Sequence, residues 1–175
     1  MRAVVLVVIL FGPLGVAPTT AQRAPQVNLD SALVSEAFAQ FALLPYRPLA
    51  IEHRYWTPDG RPGVPIGPES MQVLTRLIPA TSGRAEDLLS CPHEFPEATL
   101  HPQCSLRDVG ALLVLSIPEQ LGDTVRQKVT VVLAGERRAG SRGEIHRILM
   151  WFLPSGSAWR AIQREVVWTT PRSPQ

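Results

Sequence analysis

The chain has 175 residues, with 17 basic against 15 acidic side chains. That length suits one domain with its own core, and a charge so near balance argues against a general nucleic-acid or membrane-surface role. Its 17 prolines fall mostly between Pro45 and Pro118, which excludes long uninterrupted helices there.

Met1-Arg2 is followed by an apolar run from Ala3 to Phe11, then by Gly12, Pro13 and Gly15, then by Ala17-Pro18-Thr19-Thr20-Ala21. A short positive start, an apolar middle and small residues before a cut make a secretory signal peptide. The spacing puts cleavage between Ala21 and Gln22. A membrane span needs about 20 mostly apolar residues, and this run is shorter and broken by glycine and proline. No cysteine near the cut suggests a lipid anchor. The expected organisation is a signal peptide over 1–21 and a single domain over 22–175, with an ordered core over about 29–170. The mature chain is expected outside the cytoplasm, secreted or periplasmic, without a membrane span. Gln22 to Gln26 and Pro171 to Gln175 are expected to fray.

Asn28-Leu29-Asp30-Ser31 offers helix-capping side chains ahead of a helix from Ala32 to Leu44. Leu33, Ala37, Phe41 and Leu44 share one side of it, beside Val34 and Phe38, and Pro45 ends it. Leu49 to Trp56 alternates Leu49, Ile51, His53 and Tyr55 against Ala50, Glu52, Arg54 and Trp56, the pattern of a strand. Thr57-Pro58-Asp59-Gly60 closes it as a turn, and Arg61 to Gly67 is a Pro/Gly loop. Pro68 opens a second helix to Ile78, with Met71, Leu74, Leu77 and Ile78 inward. Glu86 to Ser90 adds a helical turn, and Ser90 to Ser105 is an irregular loop.

Beyond Val109 the pattern becomes strand-like. Four runs follow: Gly110 to Ile117, Val125 to Leu133, Glu144 to Leu153 and Ala158 to Thr169. The connectors Glu119 to Asp123, Glu136 to Gly143 and Pro154 to Ser157 are short, which favours an antiparallel meander. The fold class is therefore α+β, with N-terminal helices packed on a curved, mainly antiparallel sheet that ends in a four-stranded meander.

This order of elements, with Ser157-Ala158-Trp159-Arg160-Ala161-Ile162 leading into the last strand, resembles the NTF2-like superfamily. The resemblance spans roughly Ser31 to Thr169. It implies helices followed by a bent sheet that forms a cone around a pocket. The loop from Arg61 to Gly67 and the cysteine-bearing loop depart from that pattern.

Cys91 and Cys104 are the only cysteines, and in an exported chain an even count reads first as a disulfide. The loop of about 14 residues would gain on the order of 3 kcal/mol from closure. It holds Pro92, Pro96 and Pro102 and little apolar content. Cys91, His93, His101 and Cys104 would also complete a tetrahedral zinc set, although at spacings unlike those of structural zinc sites. The extracytoplasmic setting favours the disulfide, with no metal and no cofactor.

The last hairpin allows two registers. A two-residue turn at Ser155-Gly156 sets Phe152 opposite Trp159, Met150 opposite Ala161 and His146 opposite Glu165. A carboxylate beside a histidine raises its pKa and orients its ring, so His146 and Glu165 are candidate proton-transfer residues. Met150, Phe152 and Trp159 on the same face are candidate ligand-binding residues. A three-residue turn, Ser155 to Ser157, instead pairs Arg147 with Glu165 and His146 with Val166, and relieves an Arg147–Arg164 contact. Both registers stay open here. The cluster of Trp151, Phe152, Trp159 and Trp168 is mainly core by its period of two.

The chain has no Gly-x-Ser-x-Gly elbow, no phosphate loop with a following lysine and no zincin helix. Arg137, Arg138 and Arg142 lie between flanking glutamates, as in a solvated loop. The leading expectation is a binding or interaction module that uses an apolar sheet face or pocket for a small apolar ligand or a protein partner. The competing expectations are an enzyme of NTF2-like type using His146 and Glu165, and a structural accessory domain. Oligomeric state is not encoded in any of these features.

Overall fold

The computed structural model describes residues 26–91, 104–135, 144–156 and 158–169. The segment expected to be a signal peptide, His93 and His101, and the arginine-rich 136–143 connector lie outside them. The described chain is α+β: few helices and a mostly antiparallel, mixed sheet. Among the described residues no helix is long and apolar enough to cross a membrane.

Helix α1 runs over Gln26–Gln40, six residues earlier at its start than the capping residues suggest. Asp30 therefore lies inside the helix and is fully buried, and its carboxylate serves tertiary contacts in place of a cap. Leu29, Leu33, Val34, Ala37 and Phe41 form its inward stripe. The helix closes when Ala42 takes φ 46°, with Leu43 N–H donating to Phe38 O at 3.3 Å. That turn points Leu43 inward and leaves Leu44 58% exposed, so Leu43 replaces Leu44 in the core.

Strand β1 covers Leu49–Glu52, and β2 covers Arg54–Trp56. The single expected strand breaks at His53. All four residues of β1 are buried, because it lies inside the sheet with both faces covered. Strand β2 turns away and pairs with β3, Pro62–Pro65, in the segment expected to be a loop. Gly60, at φ 85°, closes the turn between them. Helix α2, Pro68–Leu77, starts at its proline as expected. Leu74 and Ile78 are buried and Met71 is half-buried, but Leu77 faces solvent. Strand β4, Ala80–Gly83, has no apolar alternation to announce it.

A short cap follows: α3, Ala85–Leu88, then β5, Leu89–Ser90, paired with β6, Ser105–Leu106. Cys91 and Cys104 are joined beside this pair, with an S–S distance of 2.02 Å. The disulfide expectation is met, and both thiols are consumed in it. Strands β7, Ala111–Leu115, β9, Thr124–Leu133, β10, Glu144–Ser155, and β11, Ala158–Thr169, match the four apolar runs. Between β7 and β9, Glu119–Leu121 forms β8 and pairs with the start of β9, where only a connector was expected.

The sheet order is β11-β10-β9-β7-β1-β4, with β8 beside β9. The first four strands are antiparallel neighbours, whereas β1 is parallel to both β7 and β4. Two cores result. On one face α1 and α2 cover Leu49, Ile51, Leu113, Val129, Val131, Ile148, Met150 and Phe152. On the other, the cap packs Ala85, Leu89, Cys104 and Leu106 onto Ala50, Leu112, Val132 and Ile145. The cap reaches only part of that second face, and this leaves room for a site.

Candidate functional site

The last hairpin adopts neither expected register. Gly156 turns with φ 62°, and Ser155 pairs with Ala158 and Pro154 with Trp159. A bulge between Trp151 and Phe152 then shifts the pairing once more. His146 ends opposite Trp168, and Glu165 opposite Leu149. His146 and Glu165 thus project to opposite faces, since strand side chains alternate. They form no dyad.

His146 is buried under α1, stacked on Phe41 with ring centroids 5.0 Å apart. Its Nε2 lies 3.2 Å from the Glu144 carboxylate. Burial pulls its pKa below the usual histidine value, and Glu144 offsets part of that. Met150 and Phe152 share its face and are core residues, 6% and 0% exposed. Trp159 is half-buried at the edge of that core. It also lines a hollow of about 590 Å³ between the two hairpin tips, with Gln120, Asp123, Leu153 and Arg160.

Two buried carboxylates organise the helix side and the cap. Tyr55 O–H donates to Asp30 Oδ2 at 2.6 Å, and Gln127 Nε2 donates to Asp30 Oδ1 at 2.7 Å. Burial and the adjacent Asp30 push the Tyr55 pKa far up, so the phenol keeps its proton and acts as a donor. This joins α1 to β2 and β9. At the end of β1, buried Glu52 accepts from Arg54 Nε at 2.8 Å and from the Ala85 backbone N–H at the start of α3. Arg54 also bonds Glu86, and both carboxylates hold its pKa above the usual arginine value. His53 Nδ1 lies 3.2 Å from both Glu52 and the Gly83 carbonyl. These two clusters fasten elements together.

The open part of the second face carries different chemistry. Cross-strand rows step away from the cap. Leu112, Val132 and Ile145 form the covered row. The next is Val114, Thr130 and Arg147; the one after sets Lys128 beside Leu149 and Glu165. A third places Glu119, Arg126, Trp151 and Gln163 side by side. The β2–β3 turn stands at the inner edge of these rows. Trp56 bridges to Ser116 in parallel register, and its carbonyl accepts the Ile117 N–H at 2.8 Å.

Two clefts, each of about 190 Å³, share Ser116 and Lys128. The one nearer the cap is lined by Trp56, Asp59, Val114, Thr130 and Arg147 among others. Lys128 and Arg147 sit diagonally across β9 and β10. Burial lowers the Lys128 pKa first, Arg147 and Arg126 lower it further, and Glu119 opposes them. Glu119 is itself bonded to Arg126, whose Nε lies 3.1 Å away. Asp59 pairs with Arg61 at 3.2 Å, and its carboxyl is held below the usual range chiefly by the Thr57 side chain. The period of a strand is enough to put Arg126 and Lys128 on one face of β9. Strand order and register are needed to bring Trp56 and Arg147 beside Lys128.

Comparison with protein-family models finds no match, and comparisons with curated proteins and with solved structures find none either.

Proposed function

We propose that this chain is an exported binding module that holds a small amphipathic ligand on the open face of the meander. Its apolar body lies along Leu149 and Trp151, and its polar head enters the cleft beside Lys128. One observation carries the reading: along β10, Ile145 is sealed by the cap, while Arg147, Leu149, Trp151 and Leu153 on the same face are only half-buried. An apolar stretch next to a polar cleft is the usual composition of a small-molecule site. The N-terminal signal and the Cys91–Cys104 disulfide support a secreted or periplasmic setting.

The likeness in element order to the NTF2-like superfamily belongs to the same reading, with a difference in placement. Phe41, Ile148, Met150 and Phe152 fill the space between α1 and the sheet. The ligand therefore belongs on the opposite face.

An NMR titration tests this, using octyl glucoside below its micelle concentration as a neutral amphiphile. The expected result is a saturable shift of the Trp151 indole N–H and the Leu149 amide, lost in Trp151→Ala. Shifts confined to the Trp159 hollow, or none at all, would favour a structural accessory domain and reject the binding face.

A further inference from the structure

We infer that Lys128 is a reactive amine that captures an apolar aldehyde as a reversible imine, with the carbonyl carbon in the cleft and the alkyl body along Leu149 and Trp151. The inference names a ligand class for the binding-face reading above and rests on it.

Lys128 stands where the two clefts meet and lines both of them. It is the chain's single lysine and is half-buried, whereas lysines of soluble domains mostly keep to water. Its register partner on β10 is the apolar Leu149, and Val114 and Pro58 line the clefts with it. Among the described residues, no carboxylate lies within ion-pair distance of its ammonium. Glu119 shares a cleft with it but is bonded to Arg126. An ammonium that leaves water without gaining a counter-ion is costly, and the neutral amine avoids that cost. Burial accordingly lowers the Lys128 pKa, Arg147 and Arg126 lower it further, and Glu119 opposes them. Desolvation beside other cations is how a lysine becomes a nucleophile.

The same surroundings select the ligand. Arg126 is held by Glu119, and Arg147 is itself engaged, so neither calls for an anionic partner. The positive charges around Lys128 disfavour a cationic one. A neutral electrophile with an apolar body meets both conditions, and an aldehyde is the simplest. The Nζ lone pair attacks the carbonyl carbon and forms a C–N bond, while the π pair of C=O moves to oxygen. One nitrogen proton passes to that oxygen and gives a carbinolamine. The hydroxyl then leaves with the second nitrogen proton as water, and C=N remains. One amine and one aldehyde give one imine and one water, with no change of oxidation state, and water reverses the capture. A cleft of about 190 Å³ holds about six water-sized groups at roughly 30 Å³ each. That is room for the carbonyl, a few carbons and the departing water.

The test treats the disulfide-bonded chain with hexanal at neutral pH in the presence of cyanoborohydride, which reduces an imine to a stable secondary amine. Peptide mass spectrometry then locates the adduct. With one lysine in the chain, the α-amino group is the only other primary amine, and it is ordinarily the less basic of the two. Lys128 should react at least about tenfold faster than both the α-amino group and the lysine of an unfolded peptide covering 125–131. Hexanal should outpace acetaldehyde at Lys128, and Trp151→Ala should remove that preference while Trp151→Phe keeps it. Lys128→Arg should leave only the α-amino group modified. A Lys128 that reacts no faster than the unfolded peptide overturns the proposal, as does equal reaction with hexanal and acetaldehyde. If octyl glucoside still shifts Trp151 in either case, the imine assignment falls alone. If that shift is absent too, both readings fall.

Discussion

Gly110 has no room for a side chain: a Cβ there would lie 2.0 Å from the Tyr46 carbonyl oxygen. Its own N–H donates to Pro48 O and its carbonyl accepts from Ala134 N–H, both at 2.8 Å, so the backbone cannot step aside without losing two bonds. Gly110→Ala should therefore destabilise the fold by on the order of 1–3 kcal/mol, measured as a lower urea midpoint. A second residue-scale consequence concerns His146. Its pKa in the fold lies below the ordinary value of 6.5, so as pH falls the unfolded chain takes up the proton first. Stability should then decline as pH drops through that ordinary value towards the lowered one. Urea unfolding of His146→Gln should show a flatter slope across the same window; an identical slope would assign the acid sensitivity to another group.

The disulfide acts at the scale of an element, because it closes the cap. Cys104 is fully buried among Leu89, Leu106 and Val132. Reduction should cost about 3 kcal/mol, and hydrogen exchange should quicken first in β5, β6 and α3 rather than in β9 or β10. Uniform loss of protection would show that the cap and the sheet unfold together. The last hairpin shows how much an element can hide. Its two strands are plain from their apolar content, but Pro154-Ser155-Gly156-Ser157 is compatible with several turns. The register is set by the pairing of Ser155 with Ala158 and by a bulge after Trp151, and together these carry Glu165 away from His146. Strand β4 was illegible for another reason. Ala-Thr-Ser-Gly has no hydrophobic period and forms a strand only because β1 offers it a parallel edge. β3, bounded by two prolines, likewise pairs only with the strand beside it.

At the scale of the whole molecule, one sheet separates two unlike halves. The helices seal one face with apolar side chains, and the cap seals the other only as far as Ile145. By itself the sequence determined the α+β class, the strands of the meander and the pairing of Cys91 with Cys104. Those follow from local period, short connectors and cysteine count, which any stretch of chain carries with it. Tertiary structure alone decided the parallel insertion of β1, the hairpin register and the meeting of Trp56, Lys128 and Arg147. Those three come from segments far apart in the chain, and what brings them together is the order and register of strands, set by packing between distant elements.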